Sequence, residues 1–220
     1  MHRFTVLFIA AIFVLLQIPS PALAFKSSVR CQMIRDAIAF APAELQLYLV
    51  SNFDAVHKGI HLVDLNSSQI KEFNPYDAEK VYLALIENIR QEQLCSYNTA
   101  HRFGVLAGYL AESVSPSRHS ELRDLIPGKI LYDGQHPVQD IRSSLSRIVR
   151  DYRNPYLGKK RREVTDFLYT VAVNEIVDHW VSAWQAGGLD AGEIKMAGFD
   201  IRRARQADLL RGVSVSGGGG

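Results

Sequence analysis

The 220-residue sequence predicts an all-α protein, a single-domain bundle of about six helices. Three observations lead there. Apolar residues recur three to four apart in successive segments, no run alternates apolar and polar residues as a half-buried strand would, and proline and glycine fall mostly between the periodic segments.

The first stretch is a targeting signal by pattern. His2 and Arg3 precede an unbroken apolar run over residues 6–16, followed by Pro19, Pro21 and the small-residue pattern Ala22-Leu23-Ala24. The run is short for a bilayer span, so residues 1–24 are expected to be a cleaved signal peptide and the mature chain to begin at Phe25. An uncleaved N-terminal anchor is the alternative. Secretion or a periplasmic location follows, with residues 25–188 as one helical domain and 189–220 as a basic helix and Gly-rich tail. The chain has 25 Lys and Arg against 23 Asp and Glu, and Arg3 leaves with the signal, so 24 face 23 in the mature protein. That near-balance argues against a broad nucleic-acid face and leaves only local patches, such as Lys159-Lys160-Arg161-Arg162. Cys31 and Cys95 both survive cleavage, and in an oxidising compartment they are expected to pair; two buried thiols are the alternative.

In order, Ser27 or Ser28 is expected to cap a first helix to Ala41 with Val29, Met33, Ala37 and Ile38 on one face. Pro42 starts a second with Leu45, Tyr48, Leu49, Phe53 and Val56, ending at Gly59. Residues 60–73 lack a clear period and are expected to form an ordered loop carrying His61. Asn74-Pro75 opens a third helix with Ala78, Val81, Tyr82, Leu85, Ile86 and Ile89 inward. Residues 98–119 hold a helix so apolar around its circumference (Phe103, Leu106, Ala107, Leu110 and Val114, with Val105, Tyr109 and Ala111) that others must surround it. A helical turn is expected over residues 120–125, then a loop marked by Pro127, Gly128 and Gly134. A clean stripe of Val138, Ile141, Leu145, Ile148 and Tyr152 begins at His136-Pro137, and a last helix from Arg162 to Ala186 stops at Gly187-Gly188.

Within that frame, Glu112 is an ionisable group near the end of an apolar segment, expected at the rim, paired with a cation, or on a metal. Glu175 and His179 lie a turn apart and are expected on the solvent side or at the rim, with a metal-ligand pair as the alternative. His57 and His61 flank Gly59; they are expected as exposed loop histidines, with a role as a ligand for either as the alternative, and Trp180 and Trp184 share a helix face expected in core or groove. There is no Gly-rich phosphate loop, no G-x-S-x-G and no H-E-x-x-H.

Three local patterns resemble the zinc-dependent phospholipase C family and the single-strand-specific nucleases of the same helical fold. That family carries a His and, four residues on, an Asp, then a proline and another His; here the frame is Gly108-Tyr109-Leu110-Ala111-Glu112, then Pro116-Ser117-Arg118, with His119 one residue further. Its helix-ending glycine with an Asp five residues later is similar to Gly59 and Asp64, and its His and carboxylate four apart to His136 and Asp140. The segment from Val173 to Trp184 is similar to its closing helix. The resemblance implies one divalent ion, zinc or another, held by Asp64, Glu112, His136 and Asp140, with Arg30 and Arg118 on substrate phosphate. The implied reaction is metal-assisted phosphodiester hydrolysis, phospholipid first and nucleic acid second. Arginines where the family has histidines imply the alternative, a non-catalytic helical module in which Arg30 and Arg118 pair the remaining carboxylates and which binds a lipid, peptide or protein partner.

Overall fold

The computed structural model describes residues 25–67, 74–92, 97–115, 127, 130–152 and 161–189. Among them are seven helices and no strand: α1 (Ser27–Phe40), α2 (Ala43–Ser51), α3 (Phe53–Ser67), α4 (Pro75–Glu92), α5 (Tyr97–Ser113), α6 (Ile141–Tyr152) and α7 (Arg161–Ala186). Helix α5 is the axis. Its buried residues run unbroken from Phe103 to Gly108 and resume at Leu110 and Ala111, because α1, α3, α4, α6 and α7 all pack against it. A helix apolar on nearly every side is stable only when so enclosed.

Helix α7 supplies the largest core side chains. Trp180 is fully buried, donates its indole N–H to the Phe103 carbonyl at 3.0 Å and meets the Phe103 ring edge-on. Tyr48 and Trp184 close on the same ring. Burying indoles with their N–H satisfied gives area without an orphaned donor, and truncation at such a site costs ~3–5 kcal/mol. The helix then stops as its glycines predict. Gly188 takes φ +92°, its N–H bonds to Gln185 O at 2.9 Å, and the Leu189 N–H returns to Trp184 O at 3.2 Å.

The expected second helix is two, and its stop is elsewhere. The break falls at Asn52, whose backbone N–H and side-chain amide both donate to Tyr48 O, at 3.1 and 2.9 Å. Helix α3 then runs through Gly59, so residues 60–67 of the expected loop are helical. Gly59 serves close approach. A Cβ there would lie 2.2 Å from His101 O, one on Gly104 would lie 1.9 Å from Val56 O, and one on Gly108 would lie 2.8 Å from Val63 Cγ2. Helices α3 and α5 thus touch backbone to backbone, which only a missing side chain permits.

Two helix starts also differ. Lys26 occupies the cap of α1 without a side-chain hydrogen bond, while Ser27 lies inside the helix and turns its hydroxyl to His61. Helix α6 begins at Ile141, five residues after His136, because the chain before it is strapped to α7 by side chains one turn apart. Asn174 donates to Leu131 O at 3.0 Å, Asp178 accepts the His136 N–H at 2.8 Å, and Ser182 accepts the Val138 N–H at 2.9 Å. No described helix is long and apolar enough to cross a membrane. The expected signal peptide, the turn over residues 120–125, Lys159 and Lys160, and the basic helix and tail lie outside the described residues.

Candidate metal centre

Two of the carboxylates singled out by the sequence, Glu112 and Asp140, go to separate tasks. Glu112 accepts from Arg30 across α5 and α1, Nη1 to Oε2 at 3.3 Å, with side chains only 5% and 13% exposed. That contact joins an expected metal ligand to an expected phosphate-binding arginine. Asp140 caps α6: Oδ1 accepts the Arg142 N–H at 3.0 Å and Oδ2 the Ser143 hydroxyl at 2.6 Å. These bonds hold its carboxyl below the usual range. His136 stands in the strap, exposed, with Nδ1 3.6 Å from Asp178 Oδ2. Asp64 belongs to α3, and its side chain, like all of Arg118 and Cys95, lies outside the described residues, which places the expected Cys31–Cys95 disulfide there too.

A different set converges. Among the described residues, one group of three potential metal donors comes together: Cys31 of α1 with His57 and His61 of α3, their ligand atoms all within 4.8 Å of one another. Continuity of α3 through Gly59 is what builds it. Helical spacing puts residues four apart on one stripe, so His57 and His61 face the same way, ring centroids 4.5 Å apart and nearly perpendicular. Ser27 Oγ lies 3.2 Å from His61 Nδ1 and restrains that ring. His57 is pushed below its ordinary pKa by burial first, then by His61 and Arg35, against a smaller opposing pull from Asp54. A depressed histidine is a neutral one, the form that binds metal. One thiolate and two imidazoles suit a borderline-soft ion such as zinc, and three such ligands leave a fourth tetrahedral position for water or substrate.

A second polar cluster lies between α6, α7 and the strap. Arg147 Nη2 bonds Glu175 Oε1 at 3.0 Å. Glu175 and Asp178 are buried, contrary to the solvent-side or rim place expected for Glu175 and its neighbour His179. Burial raises both carboxyls, Asp178 to about 7, although the His136 N–H pulls it the other way. His179 is fully buried, and its Nδ1 meets Glu175 O at 2.7 Å, which fixes the proton on that nitrogen. Its Nε2 has no hydrogen-bond partner among the described residues and its ring stands edge-on to Tyr82, so burial drives its pKa down to about 4. The periodicity of α7 could have found this: Ile176, Val177 and Trp180 interleave with Glu175 and His179, leaving no wet face.

No protein family, curated protein or solved structure matches the chain.

Proposed function

We propose that this is a secreted helical protein that binds one divalent metal ion, zinc by preference, through Cys31, His57 and His61. The convergence of one sulfur and two imidazole nitrogens within 4.8 Å supports it above all. The ion would act as a Lewis acid and lower the pKa of a bound water. The chain's own part is to hold the His57 imidazole neutral, to restrain His61 through Ser27, and to fix the spacing of α1 and α3. The resemblance to phospholipase C supplies the reaction class, phosphodiester hydrolysis with phospholipid ahead of nucleic acid, now with a ligand set other than Asp64, Glu112, His136 and Asp140.

The Arg30–Glu112 pair favours a second reading, a binding module that keeps the helical frame with an internal ion pair where the family has ligands. Elemental mass spectrometry on protein purified without chelator or histidine tag separates the two. The expected result is about one ion per chain, lost in His57→Ala and His61→Ala and kept in Glu112→Gln, His136→Asn and Asp140→Asn, with phosphodiesterase activity following the ion. No ion after zinc loading, or a Cys31–Cys95 disulfide in the native protein by non-reducing mass mapping, would overturn the metal centre and leave the binding module.

A further inference from the structure

The metal donors are part of a longer register between two helices. Ser27, Cys31 and Arg35 are spaced four apart on α1, and Phe53, His57 and His61 four apart on α3, so each trio forms one stripe. The stripes meet antiparallel. Ser27 reaches His61 at 3.2 Å, Cys31 lies among the two imidazoles, and the Arg35 guanidinium sits 5.6 Å from the centroid of the Phe53 ring. Phe53 in turn lies 5.9 Å from His57, the planes inclined by 33°.

Arg35 is therefore held beside the donors on an aromatic face, half-buried, and among the described residues no carboxylate pairs with it. The nearby acid of α3, Asp54, is engaged by Lys58 at 2.8 Å. A guanidinium that stacks on a ring keeps its N–H fork for an anion, and the fork matches two oxygens of one group. We propose that Arg35 makes the Cys31–His57–His61 centre selective for an oxyanion of the phosphate class, one oxygen taking the ion's open position and another accepting from the guanidinium. Arg35 is on this view a specificity residue, and the proposal rests on the metal centre of the preceding subsection.

The test uses the full mature chain loaded with Co²⁺, whose visible spectrum reports the fourth ligand. Inorganic phosphate is expected to shift that spectrum saturably. Arg35→Gln should weaken phosphate about 10- to 100-fold, the worth of a charge-assisted pair, with Arg35→Lys intermediate. Co²⁺ affinity and the affinity for imidazole, a neutral fourth ligand, should not fall, since Arg35 supplies no ligand atom and removing a cation beside the donors does not weaken their hold on a dication. Vesicles of phosphatidylcholine with and without phosphatidate distinguish the sources: competition by phosphatidate vesicles assigns a lipid headgroup, and its absence a free phosphate. Equal phosphate affinity in wild type and Arg35→Gln, or an equal shift with acetate, would overturn the proposal while leaving the metal centre standing. Failure of wild type to bind Co²⁺ would overturn both, and imidazole weakened as much as phosphate would show damage to the centre instead of a lost anion contact.

Discussion

Two polar clusters sit in this bundle, and they are built on opposite plans. Between α6, α7 and the strap, polar groups are largely spent on one another: Arg147 on Glu175, Asp178 on the His136 backbone, His179 Nδ1 on a carbonyl. Between α1 and α3, a thiol and two imidazoles converge beside a guanidinium that rests on a ring. Mutual satisfaction of buried polar groups fixes an architecture, because each partner lost leaves an uncompensated neighbour. Convergence of one sulfur and two imidazole nitrogens is the arrangement that a metal ion could use. Burial alone does not separate the two, since the stabilising cluster is the more buried.

The sharpest way to break the comparison is at the crossing that holds α3 in place. Gly104→Ala would push a methyl to 1.9 Å from Val56 O, against backbone that cannot yield. It should cost ~3 kcal/mol or more in chemical denaturation and take the metal with it. A variant of wild-type stability would mean that α3 and α5 are further apart than described. Next, His57→Ala should lower zinc affinity by roughly 100-fold or more, since supporting residues alone are worth 10- to 100-fold. The matching loss in His179→Ala would be within a few-fold, read by competition with a chromogenic chelator; reversal of that order would exchange the roles of the two clusters.

In the satisfied cluster, Arg147→Met should cost about 1–2 kcal/mol, reduced because Arg147 is half exposed while Glu175 is not. The double variant with Glu175→Gln should recover part of it, and an additive double variant would deny the pairing.

The smallest effect is in pH dependence. Burial raises Asp178 to about 7 from 3.8, so the folded state keeps a proton that the unfolded state releases; this stabilises at low pH and is lost as pH rises through about 7. Burial lowers His179 to about 4 from 6.5, so the unfolded state takes a proton that the folded state refuses, and stability falls as pH drops through that window. The slopes oppose. Asp178→Asn removes one of them, so the melting temperature of the variant relative to wild type should climb between about pH 4 and 7. Parallel profiles would show Asp178 ionised throughout.

Much of the frame is legible in the sequence because it depends on local pattern. The enclosed helix α5, the apolar face of α4, the indoles of α7 and the stop at Gly188 all follow from spacing and turn chemistry. The candidate centre is not, and one residue explains why. A glycine that ends a helix and a glycine that admits a neighbouring backbone are the same letter; taking Gly59 as a stop separates His57 from His61 and hides their common stripe. Gly104 and Gly108, four apart on α5, are the sequence signal that a partner helix needs room. Cys31 carries no such signal, since its place opposite the histidines is set by the docking of α1. Glu112 shows the converse: the sequence expects a cation, metal or rim for it, and the fold supplies Arg30.

The three-rung register between α1 and α3 has a consequence for how the protein can be followed as it assembles. Its donors come from chain positions 31, 57 and 61, so the centre cannot exist in an isolated α3, which offers two imidazoles and no sulfur. On the proposed reading, metal capture would gauge whether the first helix has seated, and the sulfur-to-cobalt absorption of a loaded sample would time that step separately from the collapse of the core around α5.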